Sequence, residues 1–287
     1  MLNADPHVDE DGLLACQALL ASTRLTRIRY FAEIDSTNTA ALRDLANRSL
    51  DTSDQPPLAT GPSLYVADRQ TAGRGRHGRN WVADQGTLTF SIVMATGESS
   101  CDEHTAAPVS MRMSTAPLSI AVGVAVARAI DHLAAPFNAR IKWPNDVYLG
   151  EGKVAGILIE SSPPDGIVIG VGLNVATRLS DISGAFDSPA RSISELTQRT
   201  PHRYQWLPEI VSQILDAIDE QAVDPGAIMA EQRRRCLLAG QPIRYLVDQA
   251  WHHAHCEGVA EDGALLIKDS SGPRRLLSGE VQRLRKT

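Results

Sequence analysis

The chain has 287 residues, of which 43% are hydrophobic and 22% charged, values that are ordinary for a globular protein. Lys and Arg number 28 against 34 Asp and Glu, so the net charge of −6 gives no general attraction for nucleic acid. The N-terminus has acids where a signal peptide needs a basic start, and the longest apolar stretch, residues 116–130, is shorter than a bilayer span. We therefore expect a cytoplasmic protein that binds neither nucleic acid nor membranes.

The predicted elements alternate between helical and strand-like patterns. Apolar residues recur at i, i+3, i+4 and i+7 over 117–133, and β-rich runs elsewhere are bounded by Gly, Pro, Asn or Asp. Polar segments predict surface loops over 51–63 and 96–115. Such a mixture indicates an α/β or α+β protein. In chain order we predict a helix over 37–47, strands over 63–67 and 87–94, a helix over 117–133, strands over 139–144, 154–160 and 166–175, and a helix over 206–221.

The character of the sequence changes after the basic run at 231–236. Short β-like pieces follow, separated by turn signals such as Glu261-Asp262-Gly263 and Ser271-Gly272-Pro273. Their spacing predicts a small all-β barrel of about fifty residues. We therefore predict a first domain over 1–235, in which residues 1–25 are a poorly defined N-terminal extension, and a barrel over 236–287.

A cluster of histidines in the segment "WHHAHC" raises the question of a metal site. If the segment is a strand, His253 and His255 lie on one face, while His252 and Cys256 lie on the other. A zinc site would need a second ligand pair, which the nearby sequence lacks. We predict no metal site here. The four cysteines are Cys16, Cys101, Cys236 and Cys256. They are far apart in the sequence and form no C-x-x-C pair, and none has the sequence surroundings of a catalytic nucleophile.

The segment "AGRGRHGRNW" over 72–81 admits two interpretations. Its glycines, Gly73, Gly75 and Gly78, fit the G-x-G-x-x-G pattern of a dinucleotide-binding turn. That turn must follow a strand and open a helix, because the helix N-terminus holds the pyrophosphate. The residues that follow, "NWVADQGTLTFSIVM", are β-branched and aromatic and predict a second strand. The dinucleotide interpretation is therefore rejected.

The arginines of the same segment favour an anion site. Arg74, Arg76 and Arg79 offer planar donors for phosphate or carboxylate oxygens, and Trp81 closes the segment. Interleaved glycines would let such a loop change its conformation. The alternative is a solvated charged face, which is the commoner origin of a charge run.

Two segments downstream also point to a ligand. In "KWPNDVYLGEGKVAGILIE" over 142–160, Lys153 starts a strand, and Gly156 carries no side chain, which is typical of a strand approached closely by a ligand. The segment "GVGLNV" ends a second such strand with Asn174. A lysine at a strand end is also an ordinary surface cation, so Lys153 alone does not decide between these interpretations.

Together these segments resemble the biotin protein ligases, also called biotin–acetyl-CoA-carboxylase ligases. The resemblance covers roughly residues 28–285 and implies an α+β fold: a mixed sheet flanked by helices, the biotin/lipoate ligase-like catalytic domain, followed by a small C-terminal SH3-like β-barrel. The matching stretches are "DSTN" (35–38), "RQTAGRGRHGRNW" (69–81), "KWPNDVYLGEGKVAGILIE" (142–160), "GVGLN" (170–174), "EGVAEDGALLI" (257–267) and "SGEVQRL" (278–284).

The resemblance also implies roles for individual residues. It implies catalytic roles for Lys153, Arg76 and Asp146. It implies an ATP or adenylate site formed by Arg76, Arg79, Trp81, Asn145, Lys153 and Asn174. No metal ligand set is predicted, and Mg²⁺ is expected only as the companion of ATP. The implied biotin site consists of Ser36, Thr37, Asn38, Gln70, Gly73, Arg74, Gly75, Arg76, Lys153 and Gly156.

The implied activity is an ATP-dependent ligation that forms biotinyl-5′-AMP and transfers biotin to a lysine of a biotin carboxyl carrier protein or domain, as in acetyl-CoA carboxylase. A monomer or a homodimer is compatible with the family. Three alternatives stay open: a lipoate-type ligase on the same fold, a ligase that is also a biotin-operon repressor, and a non-catalytic binding protein. The repressor is disfavoured, because the residues before "DSTN" are acidic and contain no clear recognition helix.

Overall fold

The computed structural model describes residues 1–48, 61–95, 115–163, 166–179 and 190–284. The chain divides into two compact units, one made of Met1–Thr115 and Gly152–Ser212 and the other of Ala116–Glu151 and Gln213–Thr287. The loops predicted over 51–63 and 96–115 lie largely outside the described residues. The domain boundary placed after residue 235 stays a prediction.

The chain forms the following elements, numbered in order. They are β1 (Leu2–Ala4), α1 (Glu10–Ser22), β2 (Arg27–Ile34), α2 (Thr37–Arg48), β3 (Ser63–Gln70), β4 (Thr87–Ala95), α3 (Thr115–Leu133), β5 (Ala139–Lys142), β6 (Asp146–Leu149), β7 (Gly152–Ser162), β8 (Gly166–Asn174), α4 (Ile193–Thr197), α5 (Leu207–Val223), α6 (Pro225–Arg235), β9 (Pro242–Val247), β10 (Ala250–Val259), β11 (Leu265–Asp269), β12 (Gly272–Leu276) and β13 (Val281–Arg283).

The first unit is built on a mixed sheet with the strand order β1-β2-β3-β4-β8-β7. Strands β1, β2 and β3 run parallel, and each later pair in this order is antiparallel. Helix α2 packs on one face, where Ala41 and Leu45 join a buried cluster with Tyr65 and Val168. Because β4 pairs antiparallel with β3, the segment after the glycine pattern is a strand, and the rejection of the dinucleotide turn is confirmed.

The N-terminal residues, to which the sequence assigned no element, form β1 and α1. Asp9 is the N-cap of α1, and its side chain accepts from the backbone N–H groups of Asp11 and Gly12. The apolar pattern of α1 is weak, because Leu14 is exposed while Leu19 is buried. In the described residues before Asp35, α1 is the one helix, so no helix-turn-helix occurs there.

The second unit contains α3, the antiparallel β5-β6 hairpin and a five-stranded antiparallel sheet with the order β12-β11-β10-β9-β13. This sheet is compatible with the predicted SH3-like barrel, and the buried Trp143 indole donates to the Gly263 carbonyl at 2.8 Å. On β10, Cys256 is buried, whereas His253 and His255 are exposed. Across the described part of the chain, no helix is long and apolar enough to cross a membrane.

Candidate functional site

The arginine loop, defined as residues 72–81, is folded as an extension of the β3-β4 hairpin. The Trp81 N–H donates to the Gly73 carbonyl at 2.9 Å, and the Gly75 N–H donates to the Arg79 carbonyl at 2.7 Å. Arg74 and Asn80 form an antiparallel bridge between these two bonds. The arginines therefore project from a two-stranded antiparallel ribbon that is held by backbone hydrogen bonds.

Glycine is required at two places in this loop. The tip turns through left-handed backbone at His77 (φ 56°) and Gly78 (φ 71°), a conformation that glycine adopts at little cost. A Cβ on Gly73 would lie 2.4 Å from the Trp81 carbonyl oxygen, so a side chain there would open the ribbon. Close approach and backbone geometry thus explain these glycines.

A chain of hydrogen-bonded polar side chains leads from the half-buried Gln70 on β3 to buried residues at the start of α2. The Thr37 N–H donates to Gln70 Oε1 at 2.7 Å, and the Thr37 hydroxyl lies 3.1 Å from the same oxygen. Ser91 on β4 lies with its hydroxyl 2.7 Å from that of Thr37 and 2.6 Å from Asn38 Oδ1. Ser36, Thr37 and Asn38 are all buried. These side chains offer several hydrogen-bonding groups that are shielded from solvent, as recognition of a small polar ring requires.

Glu160, near the end of β7, joins this polar chain to the arginine loop. Its Oε2 accepts from Asn38 Nδ2 at 2.8 Å and from Arg74 Nη2 at 2.5 Å. The Glu160 side chain is 24% exposed and that of Arg74 is 43% exposed. The carboxylate therefore lies where the loop meets the buried polar groups.

Trp81 lies against the backbone of β7 and β8. Gly156 and Gly172 are paired across these strands. A Cβ on Gly172 would lie 2.2 Å from Trp81 Cε2, and one on Gly156 would lie 3.1 Å from Cζ3, so the indole covers both glycines. The Lys153 ammonium lies 5.6 Å from the indole centroid, within cation–π range. A cation, an aromatic face and bare backbone thus lie together.

The remaining predicted residues fall into two groups. Asn174 ends β8, is buried and pairs with Thr87, and Arg76 and Arg79 lie in the arginine loop. Asn145 and Asp146 belong to the second unit, where Asn145 precedes β6 and Asp146 opens it opposite Lys142. The first unit therefore contains all of the predicted residues except these last two.

Sequence reasoning missed Ser91, Glu160 and Arg203. Ser91 follows Thr87 and Thr89 in a period-two run of polar residues within a buried strand, and that period was a signal for it. Glu160 was the last residue of a motif already singled out, but nothing in the sequence marked it from other surface acids. No sequence signal pointed to Arg203.

Arg203 clamps the two strands from which the arginine loop emerges. Its guanidinium, 5% exposed, donates to the carbonyls of Asp68 at 2.8 Å and Asp84 at 3.3 Å and to Asp68 Oδ1 at 2.8 Å. Asp68 also accepts from the phenols of Tyr30 and Tyr204. Burial, with the hydrogen bonds to Asp68, raises the pKa of both phenols, so they stay protonated and donate. The base of the loop is therefore fixed by a buried charged network.

Comparisons with known proteins show the family of the chain. Residues 30–174 match the biotin/lipoate A/B protein ligase family. A biotin–acetyl-CoA-carboxylase ligase of Mycobacterium tuberculosis is 32% identical over 283 residues, covering 98% of this chain and 97% of the relative. One of Paracoccus denitrificans is 30% identical over 263 residues, covering 87% and 98%.

A solved structure shows the same fold. The biotin protein ligase from Aquifex aeolicus, in complex with biotin and ATP, is 25% identical and superposes with a TM-score of 0.70, covering 91% of this chain and all of that one. The matched family region contains the arginine loop, the polar chain and Lys153. The chain belongs to the biotin/lipoate A/B protein ligase family, as a biotin protein ligase.

Proposed function

We propose that the protein joins biotin to a lysine of a carboxylase in two steps, through biotinyl-5′-AMP. The observation that carries this proposal is the grouping in one unit of the polar chain, Lys153 and the arginine loop. The polar chain suits the ureido ring of biotin, and the cations suit a carboxylate that meets a phosphate. The ligands of the Aquifex aeolicus structure, biotin and ATP, support this assignment.

In the first step, an oxygen of the biotin carboxylate attacks the α-phosphate of ATP, and pyrophosphate leaves. Two anions must approach, so positive charge is needed where the new bond forms. We assign that charge to Lys153 and Arg76, with Trp81 as a surface for adenine. Arg79 and Asn174 are assigned to the nucleotide side as the resemblance implies, and the role of Asn145 stays a prediction.

A magnesium ion would accompany ATP. Mg²⁺ prefers oxygen ligands and commonly keeps most of its shell as water and phosphate, so it needs few protein groups. The carboxylate of Asp146 has the right donor chemistry to hold it. The chemistry that the ion would supply is neutralisation of phosphate charge. The second role that the resemblance leaves to Asp146, acceptance of the proton from the incoming lysine, stays a prediction.

In the second step, the amine of the acceptor lysine attacks the biotinyl carbonyl, and AMP leaves. The mixed anhydride is already activated, so no nucleophile of the enzyme is needed. The arginine loop, with Gly73, Arg74 and Gly75, would cover the adenylate and limit its hydrolysis by water. We infer that the acceptor is a biotin carboxyl carrier domain of acetyl-CoA carboxylase or a related carboxylase, and that the reaction takes place in the cytoplasm.

ATP–pyrophosphate exchange tests the first step without an acceptor. It should be measured with biotin, with lipoate and with neither. We expect exchange with biotin alone. Exchange with lipoate would assign the chain to lipoate activation, and no exchange with either would leave a binding pocket without the reaction. Transfer is then tested by mass spectrometry of a purified carrier domain, with its acceptor lysine replaced by Arg as the control.

A further inference from the structure

We propose that Glu160 is a positioning residue for biotin: it fixes the orientation of the Asn38 side chain and tethers Arg74 of the arginine loop. This inference rests on the proposed function, because it concerns the site to which biotin is assigned. Glu160 is not one of the residues that the family resemblance places in that site.

Asn38 is 4% exposed, and its side-chain amide has two acceptors on one side. Its Nδ2 donates to Glu160 Oε2 at 2.8 Å and lies 3.3 Å from the Leu158 carbonyl. A carboxylate and a carbonyl only accept, so both require the NH₂ group on this side. Turning the amide over would place Asn38 Oδ1 against a carboxylate in a buried setting. Glu160, with the more distant Leu158 carbonyl, therefore fixes which way Asn38 points.

The orientation of the Asn38 amide determines the hydrogen bonds of Ser91. Asn38 Oδ1 faces Ser91 and only accepts, so the single hydroxyl proton of Ser91 is committed to it, at 2.6 Å. Ser91 then has only lone pairs to offer Thr37. The single hydroxyl proton of Thr37 then has two acceptors within reach, Ser91 and Gln70. The orientation of Asn38 thus decides where the Ser91 proton points, and makes Ser91 an acceptor toward Thr37.

Glu160 also contacts the arginine loop. The oxygen that accepts from Asn38 also accepts from Arg74 Nη2 at 2.5 Å. Arg74 is paired through its backbone with Asn80, so the tether acts on the ribbon of the loop and not only on one flexible side chain. One carboxylate oxygen therefore couples the position of the arginine loop to the polarity of the pocket.

The test compares biotin affinity by isothermal titration calorimetry in the full chain and three variants. Glu160→Gln keeps the size but makes the hydrogen bond from Asn38 neutral and removes the ion pair with Arg74, and we expect about tenfold weaker binding. Glu160→Asp keeps the charge and should recover part of the loss. The matched control is Glu33→Gln, which removes the same charge from an exposed ion pair with Arg69 on the same sheet. It should bind biotin like the wild type.

Kinetics separate positioning from general damage. In pyrophosphate exchange, Glu160→Gln should raise KM for biotin about tenfold and KM for ATP by less than about twofold, whereas general damage would raise both. Equal biotin affinity in Glu160→Gln and the wild type would overturn the inference and leave the proposed function standing. So would Glu160→Asp binding no better than Glu160→Gln. Absence of biotin binding by the wild type would instead overturn the proposed function, and this inference with it.

Discussion

Substitution of Gly172 by Ala tests where Trp81 rests. The new Cβ would lie 2.2 Å from Cε2 and 2.4 Å from Nε1 of the indole, whereas ordinary contacts begin near 3.4 Å. The ring must therefore move by roughly 1.2 Å, the difference between 3.4 and 2.2 Å. Overpacking of this kind costs about 1–3 kcal/mol, which corresponds to roughly 5- to 140-fold in affinity. Because Trp81 is the surface assigned to adenine, we expect displacement of the indole to slow the adenylation step.

The assay is ATP–pyrophosphate exchange at saturating biotin, with ATP varied and thermal unfolding measured alongside. Gly156→Ala is the graded control, because its Cβ would lie 3.1 Å from Cζ3 and needs a shift of only about 0.3 Å, the difference from 3.4 Å. Gly172→Ala should lose much more activity than Gly156→Ala. When each is combined with Trp81→Phe, the difference in activity between the two glycine variants should be smaller. Wild-type behaviour of both glycine variants would show that the indole does not lie on these strands.

Four further predictions address other parts of the chain. Lys153→Ala should lower biotin-dependent exchange by at least about 100-fold with an unchanged circular dichroism spectrum; retained turnover would remove this lysine from the mechanism. Arg76→Gly should release biotinyl-AMP and label bystander albumin, and a variant that stayed specific for its acceptor would argue against the covering role of the loop. Arg203→Lys should lower the free energy of unfolding by about 2–4 kcal/mol, because an ammonium cannot span the acceptors that the guanidinium reaches; an unchanged urea midpoint would contradict this. Burial raises the pKa of Glu231, but hydrogen bonds from Arg128 and Arg235 together have the larger effect and lower it. The stability that the ionised Glu231 contributes is therefore present above the unfolded pKa of about 4.3 and is lost as pH falls through the lower folded value. Unfolding measured against pH should show a shallower loss of stability in acid for Glu231→Gln than for the wild type.

The strongly periodic elements could be predicted from the sequence. The apolar period over 117–133 is confirmed by α3, and the β-rich run over 166–175 by β8, whose residues are all buried. Helix α1 was missed because its apolar pattern is weak and because its position depends on contacts distant in the sequence. The Asp9 N–H, for example, donates to Asp68 Oδ2 at 3.0 Å.

The candidate site was predicted unevenly for the same reason. The arginine loop and Lys153 have residue types and spacing that point to anion chemistry without a structure. Glu160 and Arg203 have no such signal, because an isolated acid or arginine is far more often a surface charge. Their importance lies in partners more than 80 residues away in sequence, as in the Arg74–Glu160 pair with a separation of 86.

The sequence by itself determined the residue chemistry: cations and glycines in one loop, polar residues at the start of a helix, and strands with glycine where a ligand can approach. Local pattern is enough for these features, because periodicity and turn residues act over a few positions. Only the tertiary structure decided that Glu160 accepts from both Asn38 and Arg74, that Trp81 covers Gly172, and that Arg203 joins the two strands below the loop. These contacts arise from strand pairing in the sheet, which brings together residues that the sequence separates.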